Sequence, residues 1–320
     1  MIDGVEVRTT RGLESKSTST LSFGLTASRD LARRGCDSAL VLNVANGIYL
    51  RRLANAGIAT CVNVDGIEWM RSKWGFVARH AFLRGARATA RHANALVFDS
   101  RALGVAWRER FGRDGHFIPY GAPVLRDIGS SRLRESRLPL NGYILVVARV
   151  VPENNVDLLL DALAYLPTNP RVVVVGDANY EHATIRRLRH LADEGRIHWL
   201  GHVDDQALLE ELWANAGVYW HGHSVGGTNP ALLQGLGAGA PTIALDTLFN
   251  REVLVHDDQL VPNDPVALGE RIVQVLESPT IARSFRNWGQ KVVRERYSWD
   301  GVCDQYQRLL NDLAVGKCTG

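Results

Sequence analysis

Short, almost wholly apolar runs alternate along this chain with longer stretches in which apolar residues recur every three or four positions. Val5-Glu6-Val7, Ser38-Ala39-Leu40-Val41-Leu42, Ala59-Thr60-Cys61-Val62-Asn63-Val64, Ala95-Leu96-Val97-Phe98 and His116-Phe117-Ile118 read as strands, with helices near 19–34, 47–56, 72–93 and 101–110. From Ala122 to Asn141 the pattern lapses into Pro, Gly, Ser and Arg. A second series then begins with Tyr143-Ile144-Leu145-Val146-Val147, Val172–Val175, Ile197–Leu200, Val218-Tyr219-Trp220 and Thr242–Leu245, again with helices between. Apolar runs of this length suit strands covered on both faces, so the chain is expected to be α/β, with two Rossmann-like domains built on parallel sheets.

Composition agrees and narrows the class. At 320 residues and 46% hydrophobic the chain can bury a large core, and two domains are the natural division. A formal net charge of +3 is nearly balanced, so nucleic acid is not called for as a partner. Cys36, Cys61, Cys303 and Cys318 show no paired spacing, which fits reduced thiols in the cytoplasm better than disulfides or a zinc site. No apolar run approaches the roughly 20 residues that cross a bilayer, and the first residues lack a signal-peptide core. A soluble, cytoplasmic chain is expected.

Ligands of open parallel sheets bind beyond the C-terminal strand ends. In the second series these ends carry Arg149, Gly176-Asp177, Gly201-His202, the 221–229 loop and Asp246; in the first they carry Asn43 to Gly47, Asp65-Gly66, Asp99-Ser100 and Tyr120-Gly121. The most informative is His221-Gly222-His223-Ser224-Val225-Gly226-Gly227-Thr228-Asn229-Pro230, fed by an apolar run and followed by a helix. Gly226 and Gly227 let the backbone turn, Thr228 or Asn229 can cap the helix, and Pro230 suits its first turn. Such an end presents unpaired N–H groups and partial positive charge to a phosphate, though a capped helix that binds nothing has the same pattern.

Several residues carry two readings. Arg149 suits a phosphate, or an ion pair with Asp177 or Glu153. Asp65 suits an active site, or a plain Asp-Gly turn. His221 and His223 have a spacing open to a metal, but no acidic or thiol cluster accompanies them, and loop hydrogen bonds are preferred. Trp69 and Trp74 suit packing or stacking on a sugar. His80, Arg84, Arg87 and Arg91 follow steps of four, three and four, which aligns them on one helix face. That stripe suits anionic lipid or the phosphate of a lipid-linked acceptor; solvated surface is the commoner explanation. Arg outnumbers Lys 33 to four, which lowers the weight of any single patch.

Val147-Ala148-Arg149-Val150-Val151-Pro152-Glu153-Asn154-Asn155-Val156-Asp157-Leu158 resembles the start of the donor-binding domain of glycosyltransferase family 4, of the GT-B fold. Val62-Asn63-Val64-Asp65-Gly66-Ile67-Glu68-Trp69 with Arg71, Lys73 and Trp74, the 221–230 loop, and Phe249-Asn250-Arg251-Glu252-Val253 resemble its rhamnosyltransferase-like subgroup, which extends bacterial cell-surface polysaccharides. The likeness spans about residues 5–310.

The resemblance implies two domains facing a central cleft: 1–122 on the acceptor side, a linker over 123–142, a nucleotide-sugar domain over 143–296, and a C-terminal helix over 297–320 packing back on the first domain. It implies metal-independent transfer, with retention of anomeric configuration, of a sugar, expected to be L-rhamnose. The donor would be dTDP-L-rhamnose or a UDP-sugar and the acceptor a saccharide or lipid-linked saccharide, with no cofactor. Peripheral contact at the inner face of the membrane is compatible with it. Asp65 and Glu68 would be catalytic. Arg149, Asn154, Gly226, Gly227, Thr228, Asn229 and Gln234 would bind the donor, while Trp69, Arg71, Lys73, Arg84, Arg87 and Arg91 would lie on the acceptor or membrane side.

Departures accompany the likeness. The family's first strand, Gly-rich loop and helix are absent, so the first domain reads as truncated. Gly226 and Gln234 stand where the wider family has two glutamates, the second gripping the ribose. Asn154 replaces a Lys that joins the Arg on the diphosphate, and Asp65 stands where many relatives have a His. These substitutions support an alternative: a non-catalytic relative that binds a nucleotide sugar or supports a partner enzyme.

Overall fold

The computed structural model describes residues 4–14, 19–67, 75–166, 170–178, 180–254 and 256–316. The chain divides into two compact units, Met1–Pro119 with Cys303–Gly320, and Tyr120–Val302.

The first unit runs α1 (Ser19–Arg34), β1 (Ser38–Leu42), α2 (Leu50–Asn55), β2 (Ala59–Asn63), α3 (Phe76–His92), β3 (Ala95–Phe98), α4 (Arg101–Phe111) and β4 (His116–Phe117). Its sheet has the order β1-β2-β3-β4, every pair parallel. Each strand therefore lies beside the next in sequence, with a helical crossover between. Between β1 and α2 a 3-10 turn, Val44–Tyr49, presses against α3. A Cβ on Gly85 would stand 2.4 Å from the Val44 carbonyl oxygen, and one on Gly47 would stand 2.3 Å from that of Gly85. Two glycines thus let backbone meet backbone behind the strand ends.

The second unit contains α5 (Ser131–Glu135), β5 (Ile144–Val147), α6 (Val156–Ala162), β6 (Val172–Val175), α7 (Ala183–Asp193), β7 (His198–Trp199), α8 (Gln206–Asn215), β8 (Val218–His221), α9 (Pro230–Gly237), β9 (Thr242–Leu245), α10 (Leu248–Leu254), β10 (Leu260–Val261), α11 (Pro265–Glu277) and α12 (Pro279–Arg296). Its strands are ordered β10-β9-β8-β5-β6-β7 and are all parallel. The chain builds outward from β5 to β7, then returns to lay β8 on the other side of β5. This is the order of doubly wound nucleotide-binding sheets, and the reversal between β5 and β8 leaves a crevice at their C-terminal ends. All four residues of β6, β8 and β9 are buried.

The final helix, α13 (Trp299–Ala314), begins in the second unit and from Cys303 onward groups with the first. One expectation needs correction. Val5-Glu6-Val7 is no strand: Val5 makes an isolated bridge, and Val5 and Val7 are exposed. Within residues 123–142, expected as a linker, Leu133 is fully buried and the Glu211 carboxylate accepts from the Leu133 N–H (3.1 Å) and the Ser131 hydroxyl (3.0 Å). The two-residue strand β10 escaped the sequence reading because so short a run has no period.

Candidate functional site

In the second unit the crevice between β5 and β8 gathers the loops that follow them. Arg149 stands two residues beyond β5, exposed, and makes no ion pair among the described residues. Neither Asp177 nor Glu153 takes it as an ion-pair partner there. The loop after β8 is stitched to the turn after β5. The Ser224 N–H (2.9 Å) and hydroxyl (2.8 Å) both donate to the Glu153 carbonyl, and the Asn155 amide donates to that of Gly222 (2.7 Å). Asn154 is buried and its amide donates to the Arg149 carbonyl at 2.8 Å. Its side chain therefore helps shape the turn that carries Arg149.

Asn250, buried in α10, extends the stitching to β9. Its amide donates to the carbonyls of His223 (3.1 Å) and Leu245 (2.8 Å). Sequence reasoning quoted Asn250 inside a motif without giving it a role; the motif was the available signal. Gly226 has φ +126°, a conformation that L side chains rarely adopt, whereas Gly227 does not have a positive φ. The backbone conformation that favours glycine is thus found at Gly226. Thr228 is buried, and Asn229 is the cap of α9, accepting from the Ala231 N–H at 2.9 Å with Pro230 next. Gln234 lies further along α9, half-buried.

The two histidines form part of the loop's support. The Tyr219 hydroxyl lies 3.1 Å from His221 Nδ1, and the rings of His221 and His223 stack at 4.3 Å with 12° between planes. Burial, then the neighbouring His223, holds His221 well below the ordinary imidazole value; burial, then the charge of Arg149, holds His223 down to about 4. Both rings are neutral at neutral pH.

In the first unit the strand ends of β1 and β2 bring Asn43, Asn63 and Asp65 together. Asn43 Nδ2 donates to Asp65 Oδ2 (3.3 Å), and the Asp65 N–H donates to Asn63 Oδ1 (3.0 Å). Asn63 Nδ2 in turn donates to the Tyr306 hydroxyl (2.8 Å) from α13. Asn43 stands among the strand-end positions noted from sequence and Asn63 inside a quoted motif, neither with a role, and Tyr306 is not named there. Glu68, Trp69, Arg71, Lys73 and Trp74 lie outside the described residues. His80, Arg84, Arg87 and Arg91 are all exposed on α3, whose 17 residues include no acid. No helix among the described residues is long and apolar enough to cross a membrane.

Residues 136–292 match the family model described as Glycosyl transferases group 1. The O-antigen chain mannosyltransferase B of Escherichia coli is 27% identical over 180 residues, covering 54% of this chain and 46% of that protein. The match thus spans under half of that relative. Among solved structures, Anabaena HepE in complex with UDP and glucose has a TM-score of 0.79 at 18% identity, covering 96% of this chain and 85% of that one. The sucrose-phosphate synthase of Thermosynechococcus elongatus has a TM-score of 0.77 at 18% identity, over 93% and 79%. The fold is that of these GT-B structures, α/β with two parallel sheets, and the 136–292 match supports the group 1 glycosyl transferases as the family. Rhamnose finds no support here, because the curated relative is named for mannose.

Proposed function

We propose that this chain transfers a sugar from a nucleoside diphosphate donor to a saccharide or lipid-linked saccharide. The observation that carries the reading is Arg149 at the end of β5, beside the loop that follows β8, at the point where the strand order reverses. As the glycosidic bond to the donor breaks, negative charge gathers on the leaving diphosphate. Arg149, the N–H groups of Gly226, Gly227 and Thr228, and the start of α9 would stabilise it without a metal. Asp65 would take the proton of the acceptor hydroxyl as its oxygen bonds to the anomeric carbon, while the electron pair of the breaking bond leaves on the phosphate oxygen. Glu68 stays a second candidate for that role.

The subgroup motifs favour L-rhamnose and the named relative favours mannose; the two sugars have opposite absolute configuration, so a donor assay separates them. Complexes of Anabaena HepE with UDP and with UDP-glucose favour a nucleotide-sugar donor of this general kind. The exposed arginines of α3 suit the phosphate of a lipid-linked acceptor at the inner face of the membrane. The non-catalytic alternative draws on Gln234 and on the inward turn of Asn154.

Titration with UDP, dTDP and GDP tests the donor half. Arg149→Ala should weaken binding by roughly 1.5–3 kcal/mol, the range of a charged hydrogen bond, with an unchanged melting temperature because the side chain is exposed. Full affinity in the folded variant removes the assignment. Asp65→Asn should bind as wild type and fail to release nucleoside diphosphate from dTDP-L-rhamnose, GDP-mannose or UDP-glucose. A wild type that binds these donors and transfers none to any offered saccharide supports the non-catalytic alternative.

A further inference from the structure

Two non-glycine residues at neighbouring strand ends of the first unit, Asn43 (φ 69°) and Asp65 (φ 53°), hold left-handed backbone conformations. Asn43 has ψ 132°, outside the small left-handed basin that asparagine tolerates. Such a residue persists only where its surroundings over-determine it, and such places concentrate at working sites.

Among the described residues, what holds it is a set of linked hydrogen bonds. Asn43 Oδ1 accepts from the Ala45 N–H (2.9 Å), which starts the 3-10 turn. The other end of that amide, Nδ2, therefore faces Asp65 and donates to its carboxylate. The Asn43 N–H donates to the Asn63 carbonyl (3.0 Å). Asn63 is fixed at both ends of its side chain: Nδ2 is committed to the Tyr306 hydroxyl, so Oδ1 is the end presented to the Asp65 N–H. Exchanging the two ends of either amide would set donor against donor or acceptor against acceptor. Tyr306 lies 243 residues from Asn63 in sequence, and burial raises its hydroxyl above the usual phenol value, which keeps it a neutral partner.

A carboxylate on a strand-end turn normally samples several rotamers, whereas a base must be held within about 0.5 Å of its working position. We propose that Asn43, Asn63 and Tyr306 are positioning residues that hold the Asp65 carboxylate in one orientation toward an acceptor hydroxyl. This rests on the reading of Asp65 as base given above.

The test compares the full chain with Asp65→Asn, Asn43→Gly and Tyr306→Phe. Glycine takes φ 69° freely, so Asn43→Gly deletes the amide without endangering the fold. Both frame variants should keep wild-type melting and UDP affinity. Each should lower nucleoside diphosphate release from dTDP-L-rhamnose, GDP-mannose or UDP-glucose in kcat by roughly tenfold, with KM for the donor unchanged, as expected for loss of one oriented bond. In Tyr306→Phe the Asp65 N–H should exchange with deuterium roughly tenfold faster, a readout that needs no substrate. Unchanged exchange in that variant overturns the frame, whatever the turnover. If Asp65→Asn abolishes release while both frame variants turn over normally, the frame is wrong and the base stands. Full turnover in Asp65→Asn removes the base and the frame together.

Discussion

The two units carry strand-end sites of opposite construction. In the second, side chains bond to backbone: Asn154, Asn155, Ser224 and Asn250 all donate to carbonyls, tying three loops together around the strand end that carries Arg149. In the first, each amide joins backbone to another side chain, Asn43 to Asp65 and Asn63 to Tyr306, beside two residues of positive φ. The difference follows from what each site would handle. A diphosphate is large and charged, and a fixed array of dipoles suits it; a single acceptor hydroxyl requires one oriented carboxylate. Backbone changes should therefore hurt the second unit most, and amide deletions the first.

The largest contrast should appear with pH. His221 and His223 are held neutral by the second unit, whereas His80, His92 and His116, the first unit's histidines, are not buried. A histidine whose folded pKa lies below its unfolded value of about 6.5 binds more protons unfolded, so its stabilising contribution is complete above that value and is lost as pH falls toward the folded pKa. With His223 at about 4, some 2 kcal/mol of unfolding free energy should be lost between pH 7.5 and 5. Urea melts of the second unit's tryptophan signal should show that loss, and His223→Gln should show less of it. Equal losses in the two proteins would mean that His223 is not held neutral by the fold.

How much of this was legible beforehand depended on range. The parallel strands were read nearly to their ends because Val172–Val175 and Thr242–Leu245 are apolar throughout. The 221–230 loop was recognised as a strand-to-helix turn, but two adjacent glycines do not say which will take the left-handed conformation. Asn154 is expected at the donor site from the family resemblance; its bond to the Arg149 carbonyl is not legible in sequence, because the orientation of a short amide depends on the carbonyls around it. Tyr306 could not be found at all, because its partner stands at the far end of the chain.

A smaller effect separates the two glycines. No atom lies within 4 Å of a Cβ built on Gly226, so Gly226→Ala meets backbone strain alone, on the order of 1–3 kcal/mol at φ +126°. Weakened UDP binding should follow. Gly227→Ala, with no positive φ to lose, should add less backbone strain than Gly226→Ala and so weaken UDP binding less. Set beside Asn43→Gly, which should leave melting unchanged, the pair tests whether backbone shape is the working element of the second unit but not of the first. Equal tolerance at 226 and 227 would break that comparison.

The smallest expected effect concerns Gln234, half-buried on α9 where the family resemblance places a ribose-gripping glutamate. Gln234→Glu would replace a neutral acceptor by a charged one, and hydrogen bonds to charged groups are worth about 1 kcal/mol more than neutral ones. Position 234 is the fifth residue of α9, beyond the first turn where the helix dipole acts, and partial burial opposes the charge, so a net gain of about 0.5–1 kcal/mol is expected from the charged hydrogen bond alone. UDP should then bind roughly two- to fivefold tighter. Pyrophosphate, which lacks a ribose, should bind as before, because the dipoles that would hold phosphate are untouched. Tighter UDP with unchanged pyrophosphate would put the ribose at position 234 and show that one side chain adjusts a site otherwise set by backbone; equal or weaker UDP binding would place the ribose elsewhere on the crevice.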